Sequence, residues 1–280
     1  MRIHGERTGF PRRTGLYTSP HLIRPEERIR INFKSLSREL FAKYFFEVYD
    51  GLSEQFSKDD SKNAPRYLQL FALVSFHTFI RERVDAAVYE THNGGEYDAT
   101  NVIQRPIVTA ITTLGMDHVK QLGPSLENIA WHKGGIFKRH APAFSSIQEP
   151  TAAAVLKSRA AEKGVELEFV GVDPALPINV VQLKPEVQRT NCSLALAAVN
   201  AFLQQKVPGP HQSLISSDIL RAIEQFTWPG RFQLIVDGNR QWFLDGAHNE
   251  MSVKRAAQWF AEASSETQRY SAMSGPVTDH

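Results

Sequence analysis

Hydrophobic positions along the chain follow two periods that alternate. Segments 37–52 and 66–82 carry the helical one: Leu40, Phe41, Tyr44, Phe45 and Val48 fall at i, i+3/i+4 behind a potential Ser37 N-cap. The spacing predicts further helices over 125–137, 149–164, 188–205, 216–226 and 250–263. Of these, 125–137 opens on a capping pattern and stops at Gly134-Gly135, and 149–164 stops at Gly164. Between them, "TGLYTSP" (14–20), "VDAAVY" (84–89), "PIVTAITTLG" (106–115), "APAFSSI" and "VELEFVG" are short β-branched or apolar runs that predict strands, with 84–89 read as a buried one. Residues 54–65 form a polar loop, "VPGPHQS" a linker and "WPGR" a turn. Residues 232–249 read as a hairpin about Asp237-Gly238-Asn239, and a polar tail follows the last helix. In the N-terminal "MRIHGERTGFPRRTG", prolines and glycines argue against an amphipathic helix.

Strand and helix alternate with helical-length connections, the mark of βαβ units and a mostly parallel α/β sheet. Residues 232–280 open a second α/β unit, and one hairpin with one helix is too little chain to bury a separate core well.

Composition narrows the function classes. The charge is balanced, 32 basic against 30 acidic residues, so bulk electrostatics give no argument for a nucleic-acid or membrane partner. The single cysteine, Cys192, excludes an intrachain disulfide. The most apolar run, 67–80, is interrupted by Gln69 and His77 and reads as a core helix rather than an integral membrane span. A cytoplasmic protein is expected, with a mitochondrial form conceivable from the basic N-terminus.

Four polar clusters stand at strand ends or turns: Ser19 and His21 in "TSPHL", Glu90 in "ETHNGGEYD", Asp117 and His118 in "GMDH", and Asp245 and His248 in "LDGAHN". Lys133 precedes two glycines. Taken singly, each has an ordinary reading: a Ser-Pro turn, a turn-capping carboxylate, a turn histidine, a solvated helix lysine. Taken together, a hydroxyl, a carboxylate and an imidazole at neighbouring strand ends suit Mg²⁺ or Mn²⁺ on a nucleotide phosphate, at the edge where open α/β sheets bind ligands. There is no Cys pair or HExxH for zinc, no G-x-S-x-G elbow, and Cys192 lies mid-helix among core-type residues. The Walker A loop that a nucleotide site of this kind should carry is not found in these residues.

"TGLYTSPHLIRPEERIRIN", "ETHNGGEYDATN", "TTLGMDHVKQLG", "ENIAWHKGGIFK", "WPGRFQLI" and "FLDGAHNEMSV" occur in the order and approximate spacing of the folylpolyglutamate synthases. The chain resembles this folate branch of the Mur ligases from about Thr14 to about Phe260, with an "ETH" variant like the fungal form. The resemblance implies a P-loop NTPase-like central ATPase domain over 1–231, lacking its P-loop and first strand. It also implies the start of a truncated Rossmann-like, glutamate-binding C-terminal domain over 232–280. It further implies a monomer that uses ATP and Mg²⁺, with a monovalent cation beside them, to join L-glutamate to the γ-carboxyl of a reduced folate.

Carried over motif by motif, Ser19, Glu90 and His118 are the expected metal ligands. Lys133 is the expected carbamylated lysine and, with His118, is placed in catalysis. Asn191, Arg231, Asp245 and His248 are expected nucleotide contacts, and His21 and Arg28 lie in the segment near folate. The chain is therefore expected to be a fragment of such a ligase, inactive as it stands. Two alternatives are a non-catalytic folate- or nucleotide-binding remnant and a dihydrofolate synthase.

Overall fold

A computed structural model of the protein describes residues 1–54, 64–238 and 240–273, with side chains described to residue 265. Most of the predicted polar loop at 54–65, Asn239 of the hairpin turn and the end of the tail lie outside the described residues. The chain runs α1 (Arg2–Thr8), β1 (Thr14–Tyr17), β2 (Ile29–Ile31), β3 (Lys34–Ser35), α2 (Arg38–Ser53), α3 (Tyr67–Arg81), β4 (Ala86–Tyr89), β5 (Thr109–Ile111) and α4 (Val119–Leu122). It continues through α5 (Leu126–Lys133), β6 (Ala143–Ser146), α6 (Pro150–Lys163), β7 (Leu167–Val170), α7 (Glu186–Lys206), α8 (Ser216–Glu224), β8 (Gln233–Asp237), β9 (Arg240–Leu244) and α9 (Glu250–Met273).

From β5 to α7 strand and helix alternate as expected, whereas β2, β3 and α4 were not predicted and β1, β2 and β3 follow one another with no α-helix between them; local signals set many of the ends. Ser37 accepts from Leu40 N–H at 3.2 Å to start α2, and Ser125 accepts from Asn128 N–H at 3.3 Å to start α5. Gly164 closes α6 at φ +63°, a conformation that glycine adopts without a Cβ penalty.

Among the described residues the β-structure divides into three sheets. One has order β3-β2-β1-β4, with β1 and β4 parallel and β2 antiparallel to β1; the second is the parallel set β5-β6-β7; the third is the hairpin β8-β9. Helices α2 and α3 cover the first sheet through Leu40, Phe41, Phe45, Phe71 and Val74, packed with Tyr17 and Ile29. Helices α5 and α6 cover the second through Ala130, Ala152, Leu156 and Ala160, packed with Ile111 and Ala143.

Three expectations are corrected. Strand 84–89 is not buried throughout: Ala86 is, but Val88 is 45% exposed, because β4 is an edge strand with one neighbour. The N-terminal segment does form a helix. Ile3 and His4 of α1 are buried, Phe10 stacks on Phe202 of α7 at 6.5 Å, and Arg7 bridges Asp218 of α8 at 2.6 Å. Tertiary partners thus override a poor local propensity. Finally, α9 runs to Met273 rather than stopping at 263, with the Ser265 hydroxyl donating back to Ala261 O. No helix among the described residues is long and apolar enough to cross a membrane.

Candidate functional site

The parallel register of β1 and β4 pairs Tyr17 with Tyr89, so Thr18-Ser19 and Glu90 leave the sheet side by side at its C-terminal edge. Glu90 N–H donates to Tyr17 O at 2.9 Å, holding its backbone to β1. Its Oε2 accepts from Ser19 N–H at 3.1 Å and from the Thr18 hydroxyl. That anchoring fixes Oε2 of the carboxylate against the turn after β1. Of the predicted metal ligands, Ser19 and Glu90 are thus brought together. Among the described residues, no three His, Cys, Asp or Glu side chains group to hold a metal. A divalent ion here would depend on a mixed hydroxyl, carboxylate and imidazole set completed by water, which suits Mg²⁺.

The loop after Glu90 is knotted by Asp98, which sequence reasoning passed over. Its carboxylate accepts from the N–H groups of His92 (3.0 Å), Asn93 (2.9 Å) and Thr100 (2.9 Å), and from the Thr100 hydroxyl (2.7 Å). The local signal was the Asp-x-Thr spacing of an Asx turn. His92 packs its ring 4.6 Å from that of Tyr17.

Two glycine pairs then mesh. A Cβ on Gly95 would lie 2.4 Å from His132 O, and one on Gly135 would lie 2.4 Å from Glu96 Cα. Glu96 N–H donates to His132 O at 2.8 Å, and the Glu96 carboxylate pairs with Arg159 of α6. The Gly-Gly of "THNGG" and that of "HKGG" therefore let the Glu90 loop lie directly on the end of α5.

This contact half-buries Lys133 beside the loop. Burial pushes its ammonium down from the usual lysine range, against the pull of Asp117, Asp98 and Glu90. It is not the solvated helix lysine of the ordinary reading. His118 stands at the start of α4 with a left-handed backbone, φ +50°. Its side chain is half-exposed, and its Nε2 is 3.9 Å from Asp117 Oδ2.

The second pair of motifs also interlocks. Gly246 N–H donates to Gly230 O at 2.8 Å, and Phe232 N–H donates to Asp245 Oδ2 at 2.8 Å. Arg231 lies so close over Gly246 that a Cβ there would fall 1.7 Å from Nη1. His248 Nδ1 donates to Gly246 O at 2.9 Å, and its Nε2 faces Asp117 Oδ2 at 3.6 Å. "WPGR", "DGAHN" and "GMDH" thus meet, bringing Arg231, Asp245, His248 and His118 to one region. Asn191 stands apart on α7, next to Thr190.

Thr190 lines a cleft of about 450 Å³ between the C-terminal ends of β5–β7, the start of α7 and one face of α9, walled by Thr113, Val170, Phe232, Arg255 and Trp259. A smaller cleft lies between the turn after β1 and "WPGR", lined by Thr18, Pro20, His21, Arg30, Trp228 and Arg231. Arg28, predicted beside His21 at the folate segment, does not line it. Cys192 is inside α7, and burial pushes its thiol up, as expected for a residue outside the chemistry.

No protein-family model matches the chain. Curated proteins do. It is 47% identical over 266 residues to folylpolyglutamate synthase of Neurospora crassa, covering 92% of this chain and 50% of that protein. It is 40% identical over 263 residues to the Saccharomyces cerevisiae protein of the same name, covering 89% and 48%. The chain spans about half the length of these relatives.

Among solved structures, a Mycobacterium tuberculosis folylpolyglutamate synthase complexed with ADP and AMPPCP superposes with a TM-score of 0.79 at 28% identity, covering 93% of this chain and 62% of that one. A folylpolyglutamate synthase complex with AMPPCP and folate gives 0.82 at 25%, covering 94% and 67%. Over the half-length that it spans, the chain is similar to the folylpolyglutamate synthases in both sequence and fold.

Proposed function

We propose that this chain supplies the metal- and folate-facing part of a ligase that joins L-glutamate to the γ-carboxyl of a reduced folate at the expense of ATP. The observation that carries the reading is the meeting of Ser19 and Glu90 at the ends of parallel strands, with Lys133 half-buried against the same loop. In such a ligase the folate carboxylate attacks the terminal phosphorus of ATP, giving an acyl phosphate and ADP. The amine of glutamate then attacks the acyl carbon, and phosphate leaves with the C–O bond electrons.

Ser19, Glu90 and His118 would hold Mg²⁺, whose chemistry is to neutralise charge on the transferring phosphoryl group. Arg231, whose planar fork suits phosphate, and Asp245, His248 and Asn191 are assigned to the nucleotide. Lys133 is assigned to carbamylation. An amine is nucleophilic toward CO₂ only when neutral, and burial favours that form. The hairpin β8-β9 with α9 forms its own small sheet unit, which supports reading 232–280 as the opening of the glutamate-side domain.

The test is incubation of the 280-residue chain with ATP, Mg²⁺, L-glutamate and tetrahydrofolate, with product read by mass. Glutamylated folate supports the ligase. Saturable folate or nucleotide binding without product supports a binding remnant. Product from dihydropteroate in place of tetrahydrofolate assigns dihydrofolate synthesis instead. Carbon-13 bicarbonate gives the Lys133 assignment its own readout: a carbamate carbon signal expected in the native chain and lost in Lys133→Met.

A further inference from the structure

Arg28 is the most deeply buried cation near the candidate site, 6% exposed. Its guanidinium lies over two rings, 5.5 Å from the centroid of Phe71 and 5.7 Å from that of Tyr67. Its backbone O accepts from Thr18 N–H at 2.9 Å, which fixes it behind the turn that carries Ser19 and His21. From this position its Nε donates to His21 Nδ1 at 2.9 Å. A guanidinium has five donors and no acceptor, so Nδ1 of His21 must be the acceptor in that bond. The ring proton then sits on Nε2. His21 itself lines the small cleft opposite Arg30, Trp228 and Arg231.

We propose that Arg28 is a positioning residue that acts through His21, locking its imidazole so that Nε2–H is the donor presented to the cleft. Packed on two rings and hydrogen-bonded through Nε to the imidazole, the guanidinium sets a neighbour's orientation, while its Nη1 is buried without a hydrogen-bond partner. His21, not Arg28, then selects for a hydrogen-bond acceptor on the molecule that enters. In the folate-ligase reading, on which the identity of the ligand but not the locked imidazole rests, that acceptor belongs to the reduced folate.

Two measurements on the full chain test this. First, nitrogen-15 NMR of arginine Nε–H and histidine ring nitrogens is expected to show a protected Arg28 Nε–H that loses protection in His21→Phe. It should also show a His21 ring with a pyridine-type Nδ1 and a pyrrole-type Nε2. An Arg28 Nε–H that exchanges like those of exposed arginines, or a proton on Nδ1, overturns the proposal. This arm needs no Arg28 variant, so it stands even where Arg28→Met fails to fold.

The second measurement is a double-mutant cycle on the Kd for tetrahydrofolate. Arg28→Met alone is expected to weaken binding about tenfold, and to change it less than about twofold in the His21→Phe background. Equal losses in both backgrounds would show that Arg28 meets the ligand itself, and would overturn the positioning role. Absence of any folate binding by the native chain sinks the functional reading, while the NMR arm still decides the positioning.

Discussion

Glu90 shows how one residue's role divides between chain and fold. A carboxylate directly after an apolar run is visible in the sequence, and so is its place at a strand's end. That its Oε2 is tied down by the Thr18 hydroxyl and Ser19 N–H is not, because those partners are some seventy residues away and arrive only through the β1–β4 register. Glu90→Gln keeps the shape and removes the charge. Magnesium-dependent ADP binding is expected to weaken by the worth of one charge-assisted interaction, about 1.5–3 kcal/mol, or roughly ten- to a hundredfold. Calorimetric titration checks it, and unchanged affinity would remove Glu90 from the metal. Thr18 was missed for the same reason, since its hydroxyl meets Glu90 across the β1–β4 register, whereas Asp98 bonds only within its own loop, from His92 to Thr100, and its Asx-turn spacing was there to be read.

Elements meet where their side chains permit it, and the two glycine pairs mark the tightest meeting. Gly95→Ala or Gly135→Ala would drive a methyl into backbone at the junction of the Glu90 loop and α5. Each is expected to cost about 1–3 kcal/mol, the usual scale of overpacking, with a fall of several degrees in Tm. Gly51, in α2 with open space around it, is the control: Gly51→Ala should be neutral or stabilise by up to about 1 kcal/mol. A calorimetric scan of the three variants decides whether the contact is as close as described.

The docking of α1 makes a second prediction at this scale. The Arg7 guanidinium holds the Asp218 carboxyl, 3% exposed, below the usual carboxylate range, against the opposing effect of burial. A carboxyl whose folded pKa is depressed contributes stability that is complete above its unfolded value near 3.9. That stability is lost as pH falls through the folded pKa. Between those two values the native chain should lose stability on acidification, and Asp218→Asn should flatten that part of the Tm–pH curve. An unchanged slope would show that the pair does not anchor α1.

Across the whole molecule, the division of the β-structure has consequences that no single element carries. β4 and β5 are both sheet edges, and β4 presents a half-exposed valine on an open strand. Exposed apolar edges template association. Val88→Lys is expected to lower light scattering at high protein concentration while leaving Tm within about 2 °C, since a surface change of this kind is worth about ±0.5 kcal/mol. Scattering equal to that of the native chain would mean the edge is not the sticky surface. The two clefts also belong to this scale. Each is walled by segments far apart in sequence: strand ends and α9 in one, the turn after β1 and "WPGR" in the other.

The sequence by itself determined most of the strands and helices from β4 onward, the caps and glycine stops, and the residues at strand ends where chemistry gathers. Those signals act within three or four positions, so a linear reading recovers them. It also carried the six ordered motifs that connect the chain to the folylpolyglutamate synthases. Only the tertiary structure decided that the N-terminal segment is helical, that 84–89 is half open and that α9 runs on to Met273. It alone placed Glu90 on Ser19, meshed Gly95 with His132, and buried Arg28 behind His21. Each of these depends on which distant surface lies opposite, and burial, register and orphaned hydrogen-bonding groups have no values until the chain has folded back on itself.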